Sequence, residues 1–175
     1  AEDMGAGAIG AIMATDVLAL VINSLPKGIG NGEGLLDPTS LNSKDALVSF
    51  SEILRTAMAT HLDVDPGELR VGHQRYRDEK GPTFQLFVAD ALENGSGYVR
   101  QVFKSGVLKD IIVNYYESMR KKWEHHDHSI CDSSCHDCLR NFGNGMQHGH
   151  LDWRLGLDLC ELVIGRPLEE KRWLA

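Results

Sequence analysis

Three of the chain's four cysteines fall within eight residues, as Cys131, Cys135 and Cys138, and histidines crowd them. His125, His126 and His128 precede the group, His136 sits inside it, and His148 and His150 follow. Thiolate and imidazole are the ligands zinc prefers, and a structural site takes four of them in a tetrahedron. The spacing C-x3-C-x2-C turns two or three sulfurs toward one point with little chain strain. The chemistry on offer is therefore a structural zinc site.

His128 completes H-x2-C-x3-C-x2-C and is the first choice for the fourth ligand. His148 or His150, folding back across a short loop, come second. His125, His126, His136 and Cys160 stay open. Cys160 lies in an apolar helical pattern, where a thiol commonly behaves as a small hydrophobe. The rival reading of the cluster is a set of disulfides. Close spacing, histidine-rich surroundings and the lack of a secretory pattern at the N-terminus favour metal.

These residues need a scaffold. The apolar run Thr15–Ile22 reads as a buried strand, and 26–43, dense in Gly, Asn and Pro, as a long loop. Ser43–His61 reads as a helix with Ser43 as N-cap and a stripe of Leu47, Phe50, Ile53, Leu54, Ala57 and Met58. Glu68–Arg77 and Thr83–Ala89 pair as a hairpin across R-D-E-K-G-P, with Phe84, Leu86 and Val88 on one face. The glycine-rich turn 90–98 leads into helices at Tyr98–Lys104 and Val107–Trp123, broken near Gly106. Its exposed amides suit either an anion or a plain helix start, and Asp90 is a carboxylate without an evident catalytic partner. A last helix spans Leu151–Ile164 and ends at Gly165 and Pro167. The order implies an α+β fold: a small, mostly antiparallel sheet covered by helices, with the zinc knuckle between the last two. The expected organisation is a Gly/Ala-rich lead-in at 1–14, one zinc-binding domain at 15–165 and a tail at 166–175, a C-terminal part of a longer protein.

A chain of 175 residues supports one domain or two small ones. Its net charge of −7 argues against an overall electrostatic grip on nucleic acid. It leaves room for a local patch. Arg120, Lys121 and Lys122 form the clearest one, and they also suit a solvated helix end. Arg140 and Arg154 flank the knuckle and complete the candidate DNA contacts, although Asp137 or Asp152 could take them instead. No stretch reaches the roughly 20 apolar residues of a membrane span. Residues 5–13 are apolar but lack the basic start of a signal peptide, so the cytoplasm is the expected compartment.

The segment C-D-S-S-C-H-D-C-L-R-N-F-G-N, followed by Q-H-G-H-L-D-W-R-L-G-L-D-L, resembles the C-terminal zinc-binding domain of the MrfA helicase family. Within that family it is most similar to the DrmB-type subunit of the DISARM anti-phage system. D-A-L-E-N-G-S-G-Y-V-R-Q-V-F also resembles that domain. The resemblance implies zinc at Cys131, Cys135 and Cys138. The family often opens its motif with C-x-C, and Ser129 stands where the first of those sulfurs would be, so His128 is the natural substitute. It further implies a superfamily-two helicase partner, DrmA-like, in the same complex. The chain carries neither G-x-x-x-x-G-K-[ST] nor D-E-x-H, so the motor is elsewhere.

Three functions follow as expectations. The first is a non-enzymatic accessory domain that assembles with the helicase and contacts DNA. The second is a zinc hydrolase or deaminase, which would need an open coordination position beside Asp132 or Asp137; the deaminase pattern H-x-E…P-C-x-x-C is absent. The third is a purely structural domain.

Overall fold

The computed structural model describes residues 13–26, 29–31, 33–125, 128 and 130–173. The lead-in lies almost wholly outside them, as do His126, Ser129 and the last two residues of the tail.

Three strands form one antiparallel sheet in the order β1-β3-β2: β1 Val17–Val21, β2 Leu69–Asp78 and β3 Gly81–Asp90. The hairpin register pairs Val71 with Val88, His73 with Leu86 and Arg75 with Phe84, while β1 sets Leu18 against Val88 and Leu20 against Leu86. Alternation therefore gathers Leu18, Leu20, Val71, Phe84, Leu86 and Val88 on the core face, as the pattern in β3 predicts.

Helix α1, Leu41–Leu62, lies at the centre. The whole expected stripe is buried, and so are Val48, Ser49, Ser51, Glu52 and Ala59. A helix with polar residues buried on its second face is walled in on more than one side. Those walls are the sheet, α3 (Leu108–Trp123) and α4 (Trp153–Ile164). The N-cap differs from the sequence expectation: Ser40, extended at φ −84° and ψ 127°, accepts the Ser43 N–H at 3.3 Å, and Ser43 is already helical. At α4 the cap is Asp152, whose carboxylate accepts the Arg154 N–H at 2.8 Å, so that helix starts two residues later than expected.

Asp90 carries no catalytic signature. Fully buried at the end of β3, its carboxylate accepts from Gly97 N at 2.6 Å and Val99 N at 3.1 Å, which start α2 (Tyr98–Ser105). Gly97 sits at φ 83°, a conformation that glycine tolerates best. The amides that an anion would need are thus taken by an internal carboxylate, and the turn is a helix start.

Beyond Gly165 the chain folds back. A 3-10 turn at Glu170–Trp173 carries Arg172, buried to 5% exposure, into a set of carboxylates. Its guanidinium meets Glu161 Oε1 at 2.6 Å, Glu124 Oε1 at 2.8 Å and Asp158 Oδ1. The tail is therefore bonded to α4 and to the end of α3. Among the described residues no helix is long and apolar enough to cross a membrane.

Candidate metal centre

The zinc loop begins where α3 runs out. Two consecutive tight turns follow, with His128 N donating to His125 O at 2.9 Å and Cys131 N to His128 O at 3.0 Å. A third closes the far side: Cys138 N and Arg140 N both donate to Cys135 O, at 3.2 and 2.9 Å. That turn points the sulfurs of Cys135 and Cys138 the same way, and the Cys135 N–H rests 3.1 Å from Cys138 Sγ.

The outcome is a four-donor group. His128, Cys131, Cys135 and Cys138 place one ligand atom each within 4.8 Å of all the others. Cys135 Sγ stands 3.4 Å from His128 Nε2 and 3.7 Å from Cys138 Sγ, which is 3.9 Å from Cys131 Sγ. A tetrahedron with zinc–sulfur bonds of about 2.3 Å has sulfur–sulfur edges of about 3.8 Å. A disulfide requires about 2.05 Å. All four cysteines are free, and the donor set fits zinc in kind, number and spacing.

Burial and the neighbouring sulfurs push the Cys131 thiol up, and burial pushes Cys138 up to about 11. A dication beside the Cys131 and Cys138 sulfurs reverses that cost. The imidazole is prepared from the other side. His128 is 8% exposed, and its Nδ1 lies 3.0 Å from the Trp123 carbonyl. That oxygen can only accept, so the proton sits on Nδ1 and the Nε2 lone pair faces the sulfurs.

Helix α4 secures the loop through three successive carbonyls. Trp153 Nε1 donates to Cys131 O at 3.2 Å, the Arg154 guanidinium to Asp132 O, and Trp153 N to Ser133 O at 2.8 Å. The Trp153 ring also meets the His128 ring edge-on, with centroids 5.3 Å apart. Helical periodicity carries no signal for this role of Trp153, because its partners are backbone oxygens.

The alternative ligands have other positions. His148 Nε2 lies 3.0 Å from Asn144 Oδ1 and 3.2 Å from Asn141 O. His150 Nδ1 pairs with Asp45 at 2.7 Å. Cys160 is fully buried in the core, where desolvation pushes its thiol up. His125, His136, Asp132 and Asp137 are outside the four-donor group, and His136 stacks edge-on against His148 at 6.2 Å.

The candidate DNA contacts divide. Arg120 pairs with Glu124 at 3.1 Å, and Arg154 with Asp152 at 2.9 Å. Arg140 donates Nε–H to Ser134 Oγ at 2.9 Å rather than pairing with Asp137. Lys121 and Lys122 are exposed at the end of α3.

The family model of the MrfA Zn-binding domain matches residues 50–139, just over half of the chain. Druantia protein DruE of Escherichia coli (strain UMEA 4076-1) is 32% identical over 125 residues. That match covers 69% of this chain and 6% of DruE, so the chain spans a small part of that relative's length. A solved structure described as the DUF1998 helicase MrfA bound to DNA is similar at a TM-score of 0.49 and 18% identity, over 74% of this chain and 16% of that one. With its matched segment running from α1 through the last sulfur of the cluster, this chain belongs to the MrfA zinc-binding domain family and is a zinc-binding domain.

Proposed function

We propose that the domain is a zinc-stapled accessory module of a helicase-associated, DISARM-like anti-phage complex. It assembles with a superfamily-two helicase subunit of the DrmA-like kind and contacts DNA through its basic residues. In this reading His128, Cys131, Cys135 and Cys138 hold the ion. Bound zinc supplies a dication that the three thiolates and the imidazole surround. The chain's own part is mechanical: the loop closes between α3 and α4, and Trp153 and Arg154 hold its carbonyls.

One observation carries the reading. All four donors come from the protein, three of the edges between them, at 3.4, 3.7 and 3.9 Å, have tetrahedral lengths, and among the described residues no carboxylate joins the group. Catalytic zinc keeps a position open for water, whereas this donor set fills the shell. That favours a structural role over a hydrolase or deaminase. Membership in a family named for the MrfA helicase supports the assembly half of the proposal.

The test is to purify the full chain with its neighbouring subunits under reducing conditions and measure metal and partners together. About one zinc per chain is expected, since a structural site takes one ion. Cys135→Ser and Cys138→Ser should lose both the zinc and the co-purifying helicase. A freshly reduced chain that carries no metal yet still assembles would overturn the reading.

A further inference from the structure

Building on the reading that this domain contacts nucleic acid, we propose that a single strand lies in one continuous groove crossing the zinc loop, from the end of α3 to Phe142. Three recesses make the groove. A recess of about 290 Å³ is walled by Lys121, Lys122, His125, His128 and Asp137. It shares Lys122 and Asp137 with a second, about 500 Å³, along the seam of α1 and α3. The second shares Thr56, Tyr115 and Cys138 with a third, about 450 Å³, which ends at Arg140, Asn141 and Phe142. The three recesses adjoin through these shared walls, and the zinc loop borders each of them.

Charge and shape select the occupant. At one end Lys121 and Lys122 are exposed, and no carboxylate engages either ammonium among the described residues. At the other, the Arg140 guanidinium gives only its Nε–H to a protein partner among the described residues, Ser134. Of the walls' carboxylates, Glu52 is neutralised by Arg55 at 2.6 Å, while Asp65, which accepts from Gly67 N at 2.7 Å, and Asp137 keep their charge against Lys121, Lys122 and Arg140. Phe142 stands fully exposed beyond Arg140, a free ring face at the end of a cationic track. A cationic groove that follows the backbone, with aromatic platforms for the bases, is how single strands are bound. A duplex is instead read by elements that project into its grooves, and a recessed seam between helices projects nothing. Arg120 and Arg154, committed to Glu124 and Asp152, do not line the track.

The test is fluorescence anisotropy on the zinc-loaded full chain with a labelled oligothymidine of about 20 nucleotides, against a duplex of equal length, across a salt series. The strand should bind at least about tenfold tighter than the duplex at low salt, with a salt dependence that Lys122→Glu and Arg140→Glu reduce. Each of these two should weaken binding by about tenfold or more. Phe142→Ala should weaken it by about five- to a hundredfold, and Asp137→Asn should tighten it. Arg75→Glu with Arg77→Glu, on the exposed edge strand β2, should leave binding unchanged. No binding at low salt, a preference for the duplex, or a loss that follows the β2 arginines instead would overturn the groove. Zinc content and helicase co-purification, measured on the same samples, keep that failure distinct from failure of the module itself. Should Arg140→Glu lose zinc, Lys122→Glu alone decides.

Discussion

The Nδ1 atom of His128 lies 3.0 Å from the carbonyl oxygen of Trp123, the last residue of α3. The free carbonyl at a helix end thereby sets the tautomer of the histidine that faces three sulfurs. The relationship ranks the histidines. His128→Ala should lower apparent zinc affinity by more than about 100-fold, beyond the usual effect of removing a supporting contact. His125→Ala should leave affinity near that of the parent, and His128→Cys should restore much of what His128→Ala loses. Competition against a chromophoric chelator measures all three. Equal loss in His125→Ala and His128→Ala would move the fourth ligand elsewhere.

Trp153 does two jobs that a substitution can separate. Its ring packs in the core and against His128, while its Nε1–H binds the Cys131 carbonyl. Trp153→Phe keeps most of the ring and removes the donor, so it should cost about 1 kcal/mol. Trp153→Ala also opens a cavity and should cost about 3–5 kcal/mol. Chemical denaturation gives both values. Zinc release to a chelator should be faster in Trp153→Phe than in the parent; an unchanged rate would mean that the Cys131 carbonyl needs no such support.

Arg172 predicts a pH dependence. Its side chain is fully buried among Glu161, Asp158 and Glu124, and Glu161 also accepts from Tyr116 Oη at 2.5 Å. Arg172→Met leaves those carboxylates without their cation, which should cost about 3–5 kcal/mol near neutral pH. Burial already holds the Asp158 carboxyl above its ordinary 3.8. A carboxyl raised in the folded state favours the protonated form, so its contribution is complete below 3.8 and is lost as pH rises through the folded value. Removing the cation strengthens this effect. The deficit of Arg172→Met should therefore be largest near pH 7 and shrink toward pH 4, as read from urea midpoints. A deficit that stayed the same across this pH range would show that Arg172 acts through packing alone.

The parts legible from sequence share one property: their signal is local. Ligand spacing put His128, Cys131, Cys135 and Cys138 together because tight turns over so few residues leave the donors little choice of direction. Alternation exposed the core face of β3, and helical periodicity exposed the α1 stripe. Side chains that serve distant backbone atoms left no such trace. Asp90 caps amides seven and nine residues away, and Trp153 holds a carbonyl 22 residues back. Arg172 looks like one charge in a polar tail until Glu124, 48 residues earlier, is brought beside it. The cap of α1 was ambiguous for another reason. Ser40 and Ser43 have the same chemistry three residues apart, and only backbone conformation decides which one accepts.

Gly156 sets how closely α4 approaches α1, and through that how firmly α4 can hold the zinc loop. A Cβ at this position would lie 2.8 Å from Ile53 Cδ1 and 3.1 Å from Ser49 Cβ. The isoleucine terminus can rotate aside. Ser49 cannot follow, because its Cβ is fixed to the α1 backbone and its Oγ accepts the Asp152 N–H at 2.8 Å. Gly156→Ala gains helix propensity worth about 1 kcal/mol and meets overpacking worth about 1–3 kcal/mol. At so rigid a contact the second should win, so a net loss of stability is expected. The displaced helix carries Trp153 and Arg154 with it, so zinc release should quicken as stability falls. A Gly156→Ala protein as stable as the parent, with unchanged zinc release, would mean that α4 can shift on α1 without disturbing the loop it secures.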